Sequence, residues 1–476
     1  MRDEGQRSIA LAQVDWFNSF ANNDQPEFAS DVSHARTPDD VRMAWLKERP
    51  VLDAWRELAG DGPHPDELRR EAMAAGALRT DDHDLAFRRL FPGLDLGIYA
   101  ANHAMGKPSL ALAPALDEHL ARLAVHGIES WGPGGWLEVV DRFRDHVAAL
   151  VGGDLIAGDV VHYANLSEAL SAALAGCTGR MVSEEGHFTT ARYVHRLWAQ
   201  RTGSALVEVV SERHGGTSTD ALIDALTPDT TVVSVSHAAW RTGQLVDVAA
   251  LGAAVREICP EALYIVDVYQ TLGTVPFTVD RLPERSVVCG GGIKQLHAGT
   301  GAGFAWLSHA ALDRMPADRT GWWAHRDPIA FEDSFEPASG AARLRTGTPP
   351  LAPMVALVTE VDVFASSGDG QVAAAVRRAR EVTSEAVRAA IADARAYGLS
   401  VVGPDDPADR AAFFAVIVDD GPALVDRLGD RGVFVDFRAF QRAGTRGLVR
   451  LSSSAASFPY ELRYAVEAIA NELGRR

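Results

Sequence analysis

From residue 97 onward, apolar residues come in short, nearly unbroken runs, separated by stretches in which they recur every three or four positions. "DVVHYAN" reads as a strand that hands over to the helix "LSEALSAALAG". "TTVVSVSH" is a strand, "DVAALGAAVREIC" a helix, and "ALYIVDVY", "RSVVCGGG" and "GAGFAWLS" are further strands. Runs that are apolar on both faces suit strands covered by helices on both sides, so the alternation predicts a mostly parallel sheet in an α/β fold. Beyond residue 352 the helical stretch "QVAAAVRRAREVTSEAVRAAIADARAYG" is followed by strands at "AAFFAVIVDD" and "LVRLSSS", which flank the helix "GPALVDRLGDRG". That pattern predicts a smaller C-terminal α/β domain. The first 95 residues differ. In "TPDDVRMAWLKERPVLDAWREL" a Thr cap, early acids and apolar residues at helical spacing predict a helical N-terminal extension without recognisable chemistry. The predicted division is residues 1–95, 96–351 and 352–476.

Composition narrows the function. The chain has 476 residues, 47% of them hydrophobic, and a net charge of −18. An acidic protein lacks the basic footprint that nucleic acid requires. No apolar run reaches the length of a membrane span, and "MRDEGQRSIALAQVDWF" has no basic start leading into a long apolar core. Cys177, Cys259 and Cys289 lie far apart, with neither metal-ligand spacing nor a disulfide framework. The expectation is a reduced, cytoplasmic protein acting on a small molecule.

The candidate chemistry starts from lysine. Lysine and arginine together number 46, yet only Lys47, Lys107 and Lys294 are lysines, a bias that a GC-rich genome would explain. Lys294 sits in the glycine-rich "CGGGIKQLHAGTGAG", after a predicted strand. A lysine amine can be desolvated, lose its proton and form an imine, which a guanidinium cannot. Asp267 ends the preceding strand, where a buried acid needs a partner such as a pyridinium nitrogen. Asn165 and Ser167 open a helix whose first N–H groups and hydroxyl suit a phosphate. Sheets of this kind bind ligands at the carboxyl ends of their strands. Each residue also has a plainer reading: Asp267 as a turn residue, Ser167 as a cap, the glycines as a tight turn. It is their order that matches a pyridoxal phosphate site.

With those residues in view, the chain resembles the class V family of fold-type-I pyridoxal phosphate enzymes, and the kynureninases above all, over about residues 90–470. The motifs that carry the resemblance are "SVSHAAWRTGQLVDVAAL", "IKQLHAGTGAGFAWL", "GWWAH", "FEPASGAARLRTGTPPLAPMVALVTEVDVF", "RGVFVDFR" and "GLVRLSSS". The resemblance implies a large domain built on a mostly parallel seven-stranded sheet, pyridoxal 5'-phosphate as cofactor, and a homodimer with active sites shared across the interface. It implies that Lys294 carries the cofactor and Asp267 pairs with its ring nitrogen. Phe188 would stack on the ring, Leu166 and Ser167 would cradle the phosphate, and Trp322 and Thr348 would reach a phosphate across the dimer interface. Arg450 would grip the substrate α-carboxylate. As plainer readings, Trp322 is a core aromatic and Arg450 a surface ion-pair residue.

The sequence departs from the kynureninase pattern at Ile293 (tyrosine there), Gln270 (histidine), His297 (asparagine) and Ala191 (aspartate), and the stretch "VHGIESWGPGGW" is shorter. Glutamine at the position of Gln270 resembles the cysteine desulfurases, where it contacts the cofactor's phenolic oxygen. A desulfurase would also need a nucleophilic cysteine well after the lysine, and no cysteine follows Cys289. The expected function is a kynureninase-like lyase or hydrolase acting on an amino acid, in specialised metabolism. The alternatives are a class V aminotransferase, epimerase or β/γ-eliminating enzyme on another amino substrate, or a non-catalytic binding scaffold, against which the intact lysine and acid argue.

Overall fold

The computed structural model describes residues 86–475, apart from 133, 157, 213 and 318. The predicted helical extension therefore lies outside the described residues except for its last stretch, 86–95. The described residues fall into two compact units, 113–137 and 86–112 with 138–475. The described part of the first holds most of the helix Leu112–His126 and the 3-10 turn Gly127–Trp131. There the Trp131 ring stands edge-on to Trp136 at 5.0 Å.

The second unit carries the sheets. A two-residue strand β1 (Ile98–Tyr99) comes first, then β2 (Gly158–Tyr163), β3 (Arg180–Glu184), β4 (Ala205–Val209), β5 (Thr230–Ser236), β6 (Leu263–Asp267), β7 (Ser286–Gly291) and β8 (Gly303–Ser308). Strands β2 to β8 make one seven-stranded sheet in the order β2-β8-β7-β6-β5-β3-β4. All neighbours are parallel except β8, which runs antiparallel to both β2 and β7. β2 therefore points the same way as the parallel strands. This is the mostly parallel sheet expected from the apolar runs, and β6, β7 and β8 are buried along their whole length.

The pattern did not mark β3, β4 or the helix Thr189–Thr202 between them. In β3 the polar residues Arg180 and Ser183 interrupt the run, and only tertiary partners make them tolerable. Arg180 donates to Thr230 Oγ1 at 2.8 Å and to the Ala225 carbonyl at 3.0 Å, and Ser183 Oγ lies 3.2 Å from His195 Nδ1.

Strands β9 (Ser400–Val402), β10 (Phe413–Val418), β12 (Asp436–Ala439) and β13 (Gly447–Ser452) form an antiparallel sheet in the order β12-β13-β10-β9. The helices Val372–Ala396, Gly421–Asp430 and Pro459–Glu472 complete its core, where Ala390, Leu424 and Val466 meet Phe414, Val449 and Leu451. β1 pairs in parallel with β11 (Val433–Phe434), and Ile98 and Ala100 join the same core. The segment preceding the large sheet thus packs into the smaller one. Arg88 fastens it there with two hydrogen bonds to Glu461, at 2.7 and 2.9 Å.

Candidate active site

Loops at the carboxyl ends of the large sheet enclose a cavity of about 350 Å³. Ligand sites in open α/β sheets form there because the loops diverge and leave a crevice. Leu166, Ser167, Phe188, Asp267, Gln270 and Lys294 all line it. Residues assigned one by one from sequence, 128 positions apart at the extremes, thus face one volume.

Asp267 closes β6, and its Oδ1 accepts from the Tyr269 backbone N–H at 2.8 Å. His187 Nδ1 stands 4.0 Å from Oδ2, but that nitrogen already accepts from the Phe188 N–H at 3.0 Å. Burial holds the His187 imidazole well below its usual range, so it is neutral, with its proton on Nε2, and offers Asp267 no hydrogen bond. Burial pushes the Asp267 carboxyl up, while the Tyr269 N–H and the Lys294 charge pull it down.

Lys294 follows β7 in a loop closed by Gly292 N–H donating to the Ala302 carbonyl at 3.0 Å. The glycines before it have a steric cause. A Cβ on Gly291 would lie 2.2 Å from the Tyr269 hydroxyl, so only glycine lets that ring cross β7. The Gln270 amide, oriented to satisfy both ends, accepts from Lys294 Nζ at 2.7 Å and donates to the His103 carbonyl at 3.2 Å. The ammonium lies 5.7 Å from the Tyr269 ring centre and 5.9 Å from that of Phe188. Burial lowers its proton affinity; Asp267 works in the opposite direction, and Arg450 with burial.

Phe188 precedes the helix Thr189–Thr202, is 39% exposed, and meets Trp240 edge-on at 5.5 Å. Across the cavity, Asn165 caps the helix Leu166–Ala173 by accepting from Glu168 N–H at 3.1 Å. The N–H groups of Leu166 and Ser167 have no preceding turn to satisfy them, and both residues sit at the cavity.

Three predicted residues lie elsewhere. Trp322 donates from Nε1 to Thr348 Oγ1 at 3.2 Å, so these two are together but outside the Lys294 cavity. Thr348 lines a separate cavity of about 150 Å³ with Arg144 and Arg345. Arg450 is buried, not a surface residue, and stands one side chain behind the wall: its Nη1 donates to the carbonyl of Trp240, which does line the cavity, at 2.6 Å. Its Nε donates to Asp436 at 2.7 Å.

Of the departures, Ile293 lines the cavity and its carbonyl accepts from Gly106 N–H at 2.9 Å. Ala191 is fully buried in the core. His297 is buried in a left-handed conformation (φ 60°), tilted against Phe91. Sequence reasoning assigned no role to Trp240, Tyr269, His187 or Asp436. Tyr269 carried one signal: it stands two residues past Asp267, at the mouth of the same strand. Nothing local marked the others.

Comparison with known proteins gives the following. Residues 137–424 match the family model described as Aminotransferase class-V. The chain is 29% identical over 373 residues to the kynureninase of Pseudomonas fluorescens, covering 76% of this chain and 87% of that protein. It is 29% identical over 388 residues to the kynureninase of Burkholderia pseudomallei, covering 78% and 88%. In fold it is similar to a cysteine desulfurase from Thermococcus onnurineus NA1, with a TM-score of 0.71 and 17% identity over 83% of this chain and 99% of that one. The cystine C-S lyase C-DES aligns with a TM-score of 0.68 and 15% identity over 80% and 99%. Among the described residues no helix is long and apolar enough to cross a membrane.

Proposed function

The chain belongs to the class-V aminotransferase family, and from that premise we propose that it is a kynureninase-like lyase or hydrolase that cleaves the Cβ–Cγ or a related bond of an amino acid. Dependence on pyridoxal phosphate comes with the family, and the cavity fits that group. It holds a half-buried amine, a buried carboxylate with one oxygen lacking a histidine donor, a half-open aromatic face and a helix start whose first N–H groups have no preceding turn. Lys294, Asp267, Phe188, Leu166, Ser167 and Gln270 would hold it, with Trp322 and Thr348 serving a second copy in a homodimer. When bound, the cofactor supplies an electron sink for the bonds at the amino carbon.

The chain's own groups do the rest. Burial keeps Lys294 Nζ low in proton affinity, so the amine is available near neutral pH to take a proton from the substrate's Cα and to return it. Gln270 fixes the direction of that amine through its amide oxygen. Asp267 presents a negative charge at the end of a rigid strand, opposite Lys294, where it can keep a ring nitrogen protonated. Arg450 is a guanidinium suited to a carboxylate.

The observation that carries this reading is the convergence of Asp267, Lys294 and Phe188 on one cavity, together with the kynureninase relatives that cover three quarters of the chain. The test is turnover of L-kynurenine by the cofactor-loaded protein, measured as anthranilate and alanine released together. Keto-acid-dependent amino transfer with no anthranilate would replace the reading with an aminotransferase. A protein that never acquires a borohydride-sensitive visible band would end it.

A further inference from the structure

The residue behind the cavity wall is already bound. Asp436 and Arg450 are direct cross-strand partners on β12 and β13. Side chains so placed share one face and meet without rearrangement. Arg450 Nε donates to Asp436 Oδ2 at 2.7 Å, and Nη2 of the same guanidinium contacts that oxygen too. With Nη1 on the Trp240 carbonyl, each nitrogen of the fork has an acceptor. A substrate carboxylate arriving from the cavity could take the Nε/Nη2 edge only by displacing Asp436.

Asp436, by contrast, has somewhere to go. Its other oxygen already receives Arg438 Nη2 at 2.8 Å, and Arg438 is half exposed on the outer side of the cluster. His103 Nε2 stands 3.5 Å from Oδ2. That imidazole is held neutral: burial pushes it down to about 3, Arg450 adds to the effect, and Asp436 only partly opposes it. The cluster therefore contains two cations for one anion, the imbalance a second carboxylate would correct. The charges of Arg450, Asp436 and Arg438 all reach Lys294.

We propose that Asp436 is a resident carboxylate holding the substrate's place on Arg450. Binding is then an exchange in which the incoming α-carboxylate takes the Arg450 fork and Asp436 is retained by Arg438. This makes Asp436 a specificity-determining residue that carboxylate-bearing amines must displace and simple amines need not. The inference rests on the reading of Arg450 as the substrate's carboxylate partner.

The test is spectral titration of the cofactor-loaded protein with L-alanine and, as the matched amine lacking a carboxylate, ethylamine. Asp436→Asn keeps the shape but weakens the competitor, and should bind L-alanine roughly tenfold more tightly with ethylamine unchanged. Arg438→Ala, on a half-exposed residue, removes the alternative holder and should weaken L-alanine binding several-fold. Either opposite sign, or no change in L-alanine affinity for Asp436→Asn, overturns the exchange and leaves Asp436 as a structural brace of Arg450. Arg450→Ala separates the two levels. If it leaves L-alanine affinity intact, the carboxylate role of Arg450 fails. If it selectively weakens L-alanine while Asp436→Asn does not tighten it, only the exchange fails.

Discussion

Two cationic groups, Lys294 half-buried at the cavity and Arg450 buried behind it, lie within electrostatic reach of each other and are built in opposite ways. Around Lys294, charges are under-paired: the ammonium's direct partner is a neutral amide, and Asp267 receives a single backbone N–H beside a histidine that cannot donate to it. Around Arg450 every guanidinium nitrogen has an acceptor, and Asp436 bridges it to Arg438, so two cations share one carboxylate. Burial lowers the proton affinity of both cations, Arg450 to about 10, and the contrast lies in their carboxylates. Burial depresses Lys294 and lifts Asp267. Burial would lift Asp436 too, but His103, Arg450 and Arg438 outweigh it and hold the carboxyl at about 2. A group short of partners is left to the effect of burial, and one surrounded by opposite charges is held ionised against it.

The comparison can be broken most directly by removing each cation. Lys294→Ala should abolish the borohydride-sensitive visible band and lower turnover by about 1000-fold or more, with no loss of melting stability in the cofactor-free protein, since an under-paired, partly desolvated ammonium is a cost to the fold. Arg450→Ala should instead lower unfolding free energy by about 2–3 kcal/mol in denaturant titration, because it strands a buried carboxylate that only Arg438 still compensates. Equal stability losses in the two variants would show that the two groups are not built differently.

Glu184 sharpens the rule with pH. It is fully buried, with Oε1 accepting from Ser236 N–H at 2.7 Å. Burial is the largest influence on it and raises its carboxyl from 4.5 to about 7. Between those values the unfolded chain gives up a proton that the fold keeps, so stability falls as pH rises from 4.5 toward 7. Glu184→Gln has no proton to give up. Its advantage over the parent should grow across that window, reaching about 3 kcal/mol at pH 8 by the linkage relation. A difference that stays flat between pH 5 and pH 8 would mean that Glu184 is not protonated in the fold. The smallest effect belongs to the helix start at the cavity. Asn165→Ala removes a neutral cap and should cost about 1 kcal/mol, read as a lowered denaturation midpoint without any change in pH profile.

Much of this molecule was legible before any coordinates. The long apolar runs at β5, β6, β7 and β10 marked strands buried on both faces, because a strand covered by helices has no polar face to show. Lys294, Asp267 and Ser167 could be singled out because the chemistry needs those residue types at strand and helix ends, and those ends are local features. The helix Val372–Ala396 followed from its period alone.

Other features belong to the tertiary structure because their cause lies far away in the chain. β3 exists despite Arg180 and Ser183, whose partners sit on other elements. β1 joins a core whose other members begin more than 280 residues later, at Ala386. Trp240 became a cavity wall only through the loops gathered at the large sheet, and the occupied fork of Arg450 became visible only when β12 was laid beside β13. Local sequence specifies what a residue can do and how its own backbone runs. Which groups are deprived of water, and which find a countercharge there, depends on neighbours from distant segments, and that allocation leaves Lys294 beside a neutral amide and Arg450 beside a carboxylate.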